Sequence, residues 1–124
     1  YWIWKNINII KPRLVVLEYN SSFGDDDPLT IPYNQEFIWD NKNEKRFFYG
    51  ASLKALEKLS KKKGYDLVCV DSKGVNAFFV REDLMKNSIL RKMKSKDVFV
   101  YNKDHNAKLN DIKNIVKKYN LVKV

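Results

Sequence analysis

The spacing of apolar positions changes several times along the chain, and each change marks an element. In "YWIWKNINII", Ile3, Ile7 and Ile10 lie three and four apart, flanked by Trp2 and Trp4. That spacing predicts a helix burying the isoleucine stripe. Pro12 stops it, because a proline pushes the preceding residue out of the helical region. "RLVVLEY" then places four apolar residues, Leu14 to Leu17, in a row without alternation. A strand of this kind is covered on both faces, as in the centre of a parallel sheet. It ends abruptly in Glu18, Tyr19, Asn20, Ser21 and Ser22.

Residues 21–49 carry two prolines and many polar side chains, which argues against a long helix. Their aromatics argue against disorder, so the segment packs onto something, with short strand or turn pieces around "LTIPY". "GASLKALEKLSKKKG" is the clearest helix: Leu53, Leu56 and Leu59 form one stripe. Lys61 to Lys63 suit its C-terminal dipole, and Gly64 suits the position after it. "YDLVCVD", "SKGV" and "NAFFVRED" predict strand, turn and strand, a β-hairpin. Alternation within the first of these places Cys69 inside as a buried thiol. "NSILRKMKSKDVFVYN" reads as a short helix and a strand. "NDIKNIVKKYN" is a helix at about 110–120, with Asn110 or Asp111 as its cap and Ile112, Ile115, Val116 and Tyr119 on one face. "LVKV" reads as a last short strand. Helices alternating with strands give an α/β layered fold.

Composition narrows the function classes. The chain has 124 residues, 44% of them hydrophobic and 31% charged, which is enough for one small domain with one core. No apolar run is long enough to span a membrane. A single cysteine excludes an intramolecular disulfide and fits a reducing, cytoplasmic setting. A single histidine, His105, has no second histidine and no nearby cysteine, so a zinc site is not assigned. The adjacent carboxylates Asp25, Asp26 and Asp27 point in different directions, so they are not assigned to a metal either. Net charge is +9, and residues 91–124 hold ten Lys/Arg against three acids. Nucleic-acid sites lean on arginine with interleaved aromatics, whereas lysine dominates here; a solvated surface is the preferred reading, ahead of nucleic acid or an acidic membrane. The chain opens at Tyr1 in mid-pattern, so we expect a piece of a longer protein.

In order, "YWIWKNI", "KPRLVVLEYNSSFG", "IPY", "YGASLKALEKLSKKKGYDLV" and "GVNAFFVRED" resemble the C-terminal half of a class I S-adenosylmethionine-dependent methyltransferase of the FkbM-like kind. The resemblance covers residues 1–83 and leaves 84–124 as a basic C-terminal extension. It implies a partial Rossmann-like, three-layer α/β sheet with a C-terminal β-hairpin, truncated at the N-terminus. "RLVVLEY" would be strand five, "YDLVCVD" strand six and "NAFFVRE" strand seven, the last inserted antiparallel between the other two. It also implies S-adenosylmethionine as cofactor, a sugar or small-molecule hydroxyl as methyl acceptor, and a missing N-terminal half as partner. The family's glycine-rich cofactor loop has no counterpart here, since no Gly-x-Gly occurs. The isolated chain is therefore expected to be inactive, and marginally stable or self-associating.

Ligands of open α/β sheets bind at the carboxyl ends of the parallel strands. That rule makes Glu18 and Asn20 the catalytic candidates, with Ser21, Tyr49 and Asn76 as substrate-binding candidates. Glu18 would orient an acceptor hydroxyl or take its proton. The turn Ser72–Gly74 should share this rim, and Arg81 and Glu82 should lie at the opposite end. The competing reading is a self-contained α/β binding module whose basic tail contacts nucleic acid or an acidic partner.

Overall fold

The computed structural model of the chain describes residues 1–40, 42–103 and 109–124, so His105 lies outside the described residues. The elements run α1 (Trp2–Asn6), β1 (Leu14–Glu18), a 3-10 turn (Ser21–Phe23), β2 (Leu29–Thr30), a 3-10 turn (Asn43–Phe47) and α2 (Leu53–Lys62). They continue with β3 (Tyr65–Val70), β4 (Asn76–Arg81), α3 (Glu82–Met85), α4 (Ser95–Val98), α5 (Leu109–Val116) and β5 (Val122–Lys123). The architecture is mixed α/β with two small antiparallel sheets, β1-β4-β3 and β2-β5.

In the larger sheet β4 runs antiparallel to both neighbours, so β1 and β3 are parallel to each other across it. The expectation that parallel strands flank β1 directly is not met. Its described partner is β4, in the register Leu14↔Val80 to Glu18↔Asn76. Arg13 O accepts from Arg81 N and Tyr19 N donates to Val75 O. The odd-numbered positions of β1 therefore bond to β4, while Leu14, Val16 and Glu18 turn their N–H and C=O groups to the free edge. Side chains alternate in the same way. Val15 and Leu17 face the core, whereas Leu14 and Val16 are 50% and 47% exposed.

The core lies on one face of this sheet. Leu53, Ala55, Leu56 and Leu59 of α2 pack with Trp4, Tyr19, Tyr65, Leu67, Ala77 and Phe79. Ser52 caps α2: its Oγ accepts from Ala55 N (3.2 Å) and Leu29 N (2.9 Å) and donates to Asp27 O (2.9 Å). Glu57 accepts from Lys61 (2.9 Å) and from Ser95 N (3.1 Å), which ties α4 to α2. Gly64 follows the C-cap Lys63 with φ +77°, as the glycine there predicts. Lys63 Nζ donates to Ile7 O (2.8 Å) and Asn8 Oδ1 (3.1 Å), a link between α2 and the N-terminal segment. A second cluster, Phe23, Ile31, Phe47, Ile112 and Val116, docks the long 21–49 segment on α5. Residues 84–103 and 109–124 pack into the same body: Met93 N donates to Leu67 O (2.8 Å) and Val124 N to Pro28 O (2.9 Å).

Three expectations are corrected. First, α1 ends at Asn6, well before Pro12, and its buried residue is Trp4; Ile3, at 80% exposure, Ile7 and Ile10 face outward. The stripe is apolar in sequence, but nothing described lies above it. Second, Cys69 is exposed. A register shift between Leu67 and Cys69 pairs Cys69 with Phe78, moving it onto the uncovered face of the sheet. Third, α5 begins at Leu109, so Asn110 and Asp111 fall in its first turn rather than ahead of it. The second face of the sheet, bearing Leu14, Val16 and Cys69, carries no described helix layer, so the three-layer arrangement is absent from the described residues. The accessible surface is 8135 Å², against about 6900 Å² for a compact monomer of this mass.

Candidate functional site

β1 ends and β4 begins at the same end of the sheet, because Glu18 and Asn76 are register partners. The chain between β3 and β4 folds over this end around Asp71. Its carboxylate accepts from Lys73 N (3.1 Å), Val75 N (3.0 Å), Asn76 N (2.9 Å) and Asn76 Nδ2 (2.8 Å). Burial pushes the Asp71 carboxyl up, but these donors outweigh it and hold the group below the usual carboxylate range. Asp71 was not among the sequence candidates. Its signal was present: an aspartate opening "DSKG" accepts from backbone N–H groups a few residues on. Arg81 and Glu82 lie at the far end, as the hairpin topology requires, with Arg81 held by Asp83 and by Lys11 O.

Each candidate now has a place. Glu18 is exposed at the end of β1. Tyr49 is half-buried beside it; burial first, and the Glu18 charge second, push its phenol up to about 12. The phenol thus stays protonated through the neutral range, near the Glu18 carboxylate. Trp39 stands edge-on to the Tyr49 ring, with centroids 5.8 Å apart. Asn76 is half-buried, its amide nitrogen turned onto Asp71.

Asn20 and Ser21 sit deeper than the rim. Asn20 is completely buried; its Nδ2 donates to Phe47 O (2.7 Å) and Tyr49 O (2.9 Å), and its Oδ1 accepts from Ser22 N (2.9 Å). It anchors the segment that carries Tyr49, so it acts as a positioning residue. Ser21 Oγ accepts from Asn102 N (3.0 Å), and Tyr19 OH donates to Val100 O (2.7 Å). Segment 100–102 is thereby laid across the rim. There it meets Gly74, φ +73°, where a Cβ would run into the carbonyl of Val100. The tail therefore helps build the site, which the sequence did not reveal.

The accessible part of the site is thus the exposed Glu18, with the half-buried Tyr49 and Asn76 beside it at a strand end. No family model matches the chain, and no curated protein and no solved structure matches it. Among the described residues, no group of three His, Cys, Asp or Glu gathers as cation ligands. Asp27 pairs with Lys123 (2.5 Å), and Lys54 donates to Asp26 O (2.7 Å). The residues present do not fit S-adenosylmethionine. The four glycines fall in four separate turns, and the end of β1 is filled by the chain's own residues 20–23 and 100–102. No helix of the described residues is long and apolar enough to cross a membrane.

Proposed function

We propose that the chain is the C-terminal portion of a methyltransferase-like protein acting on a hydroxyl of a sugar or other small molecule. The observation that carries this reading is the strand order β1-β4-β3, with β4 antiparallel between two mutually parallel strands. That is the arrangement implied for strands five, seven and six by the resemblance of residues 1–83. Among the described residues the outer edge of β1 and the second face of the sheet are uncovered, which also supports it, since both are surfaces that further strands and helices of a three-layer sheet would occupy. In this reading another stretch of polypeptide supplies the cofactor site, and the present chain supplies the acceptor side. The Glu18 carboxylate accepts the hydrogen bond of the acceptor hydroxyl and holds its oxygen in position. The Tyr49 phenol donates to a neighbouring acceptor oxygen, and Asn20 holds the Tyr49 segment in place.

The test joins this chain to the polypeptide encoded immediately upstream and titrates S-adenosylmethionine by calorimetry. The joined protein should bind it and the present chain alone should not. In the joined protein Glu18→Ala should lower kcat about a hundredfold. An in-frame start codon directly ahead of Tyr1, or a joined protein that gives no binding heat, would overturn the reading.

A further inference from the structure

The end of the sheet opposite the Glu18 rim has an unusual surface. Two loops spring from it: residues 7–13, which lead into β1, and residues 86–91, which follow α3. They share this end because Arg81 N donates to Arg13 O and Arg81 Nη1 to Lys11 O (2.9 Å). Each loop carries an isoleucine at its tip, Ile9 and Ile89, and each tip is 99% exposed. Ile10 and Leu90 beside them are also exposed. Nothing in the core requires these four side chains, and water penalises each.

The loops are held in shape. Tyr65 OH donates to Pro12 O (2.8 Å), Lys63 Nζ to Ile7 O (2.8 Å), Ser88 N to Met85 O (3.2 Å) and Leu90 N to Ser88 Oγ (3.3 Å). The two loops and the last turn of α2 carry the exposed cations Lys11, Arg13, Lys62, Lys86 and Arg91. The acids of this end are Asp66, Asp83 and Glu82. Asp66 is matched by Lys92 and Asp83 by Arg81 (2.6 Å).

We propose that this pole docks on the surface of an anionic phospholipid bilayer. The cations meet the headgroups, and Ile9, Ile10, Ile89 and Leu90 enter the boundary between headgroups and acyl chains. Either signal alone gives marginal attachment, whereas apolar insertion and basic attraction act together. Charge complementarity calls for an anionic surface, and the two separate apolar tips select lipid over an acidic protein, because they suit a fluid interface and need no shaped partner. The proposal is independent of the acceptor site, which lies at the other end of the sheet.

The experiment is co-sedimentation of the full chain with phosphatidylcholine vesicles, with and without about one third phosphatidylglycerol. Binding is expected to the anionic vesicles only, and to fall as salt rises. The pair Ile9→Ser with Ile89→Ser should weaken it about tenfold, and so should Lys86→Glu with Arg91→Glu. If the isoleucine pair lowers the thermal melt, the charge-reversal pair alone decides. The proposal fails if anionic vesicles do not sediment the chain, or if neutral vesicles do so equally. It also fails if duplex DNA binds as tightly and binding to either is indifferent to the isoleucine pair, since the surface would then be a general polyanion site.

Discussion

Ser52 shows how much one side chain of this protein organises. Its hydroxyl is completely buried, caps α2 and fastens the Asp27–Leu29 segment to the helix start. Ser52→Ala leaves two backbone N–H groups and one carbonyl without that partner. It is expected to cost about 2 kcal/mol, read as a lowered urea midpoint at unchanged slope. The leucine stripe was read from the sequence but Ser52 as its cap was not, although a serine just ahead of such a stripe is the usual signal; the bonds to residues 27 and 29 could not be, because they bridge 25 and 23 positions. The same limit applies at the site. Glu18 at a strand end was legible, since an apolar run that stops in polar residues marks a sheet rim. The burial of Asn20 was not, because its partners Phe47 and Tyr49 come from 27 and 29 residues away.

Among the elements, β1 decides the most. Four consecutive apolar residues read as a strand covered on both faces, yet one edge and one face are bare among the described residues. Along that edge an apolar groove of about 290 Å³ runs between α1 and Val15 and Leu17, walled by Ile3, Ile7 and Ile10. Unpaired N–H and C=O groups beside apolar side chains form a template for another strand. The isolated chain is therefore expected to associate in a concentration-dependent way, measured by sedimentation velocity. Val16→Lys should suppress this association while changing stability by less than about 0.5 kcal/mol, because Val16 makes little of the core. A melt independent of concentration in the parent chain would contradict the edge argument. The β3–β4 hairpin was legible from its turn residues, but the bulge after Leu67 was not. Alternation gives no sign of one extra residue, and that residue alone brings Cys69 out of the core.

For the molecule as a whole, four groups show how titration couples to stability. Burial raises the Glu57 carboxyl, but Lys61 and the Ser95 N–H outweigh this and hold it low, as the turn donors hold Asp71 low. Both groups therefore add stability above their unfolded values, near pH 4, and lose it as pH falls through their lower folded values. Tyr19 and Tyr49 are pushed up to about 12, chiefly by burial; the bond to Val100 O opposes this at Tyr19, while the Asp71 charge adds to it there and the Glu18 charge adds to it at Tyr49. Their contribution is complete below about pH 10 and is lost as pH rises through 12. A denaturation series across pH should show stability falling on the acid and the alkaline side, and Tyr49→Phe should blunt the alkaline limb.

What the sequence determined by itself is local. The cap, stripe and terminal glycine make α2, turn chemistry makes the hairpin, and polar residues after an apolar run mark the end of β1. These depend on contacts a few residues apart, whose geometry the chain fixes on its own. The tertiary structure alone decided that β1 is an edge among the described residues, that Ile3 and Ile9 face outward, and that residues 100–102 close over the rim. An apolar residue records only that burial is favourable; which surface lies opposite it depends on segments distant in sequence.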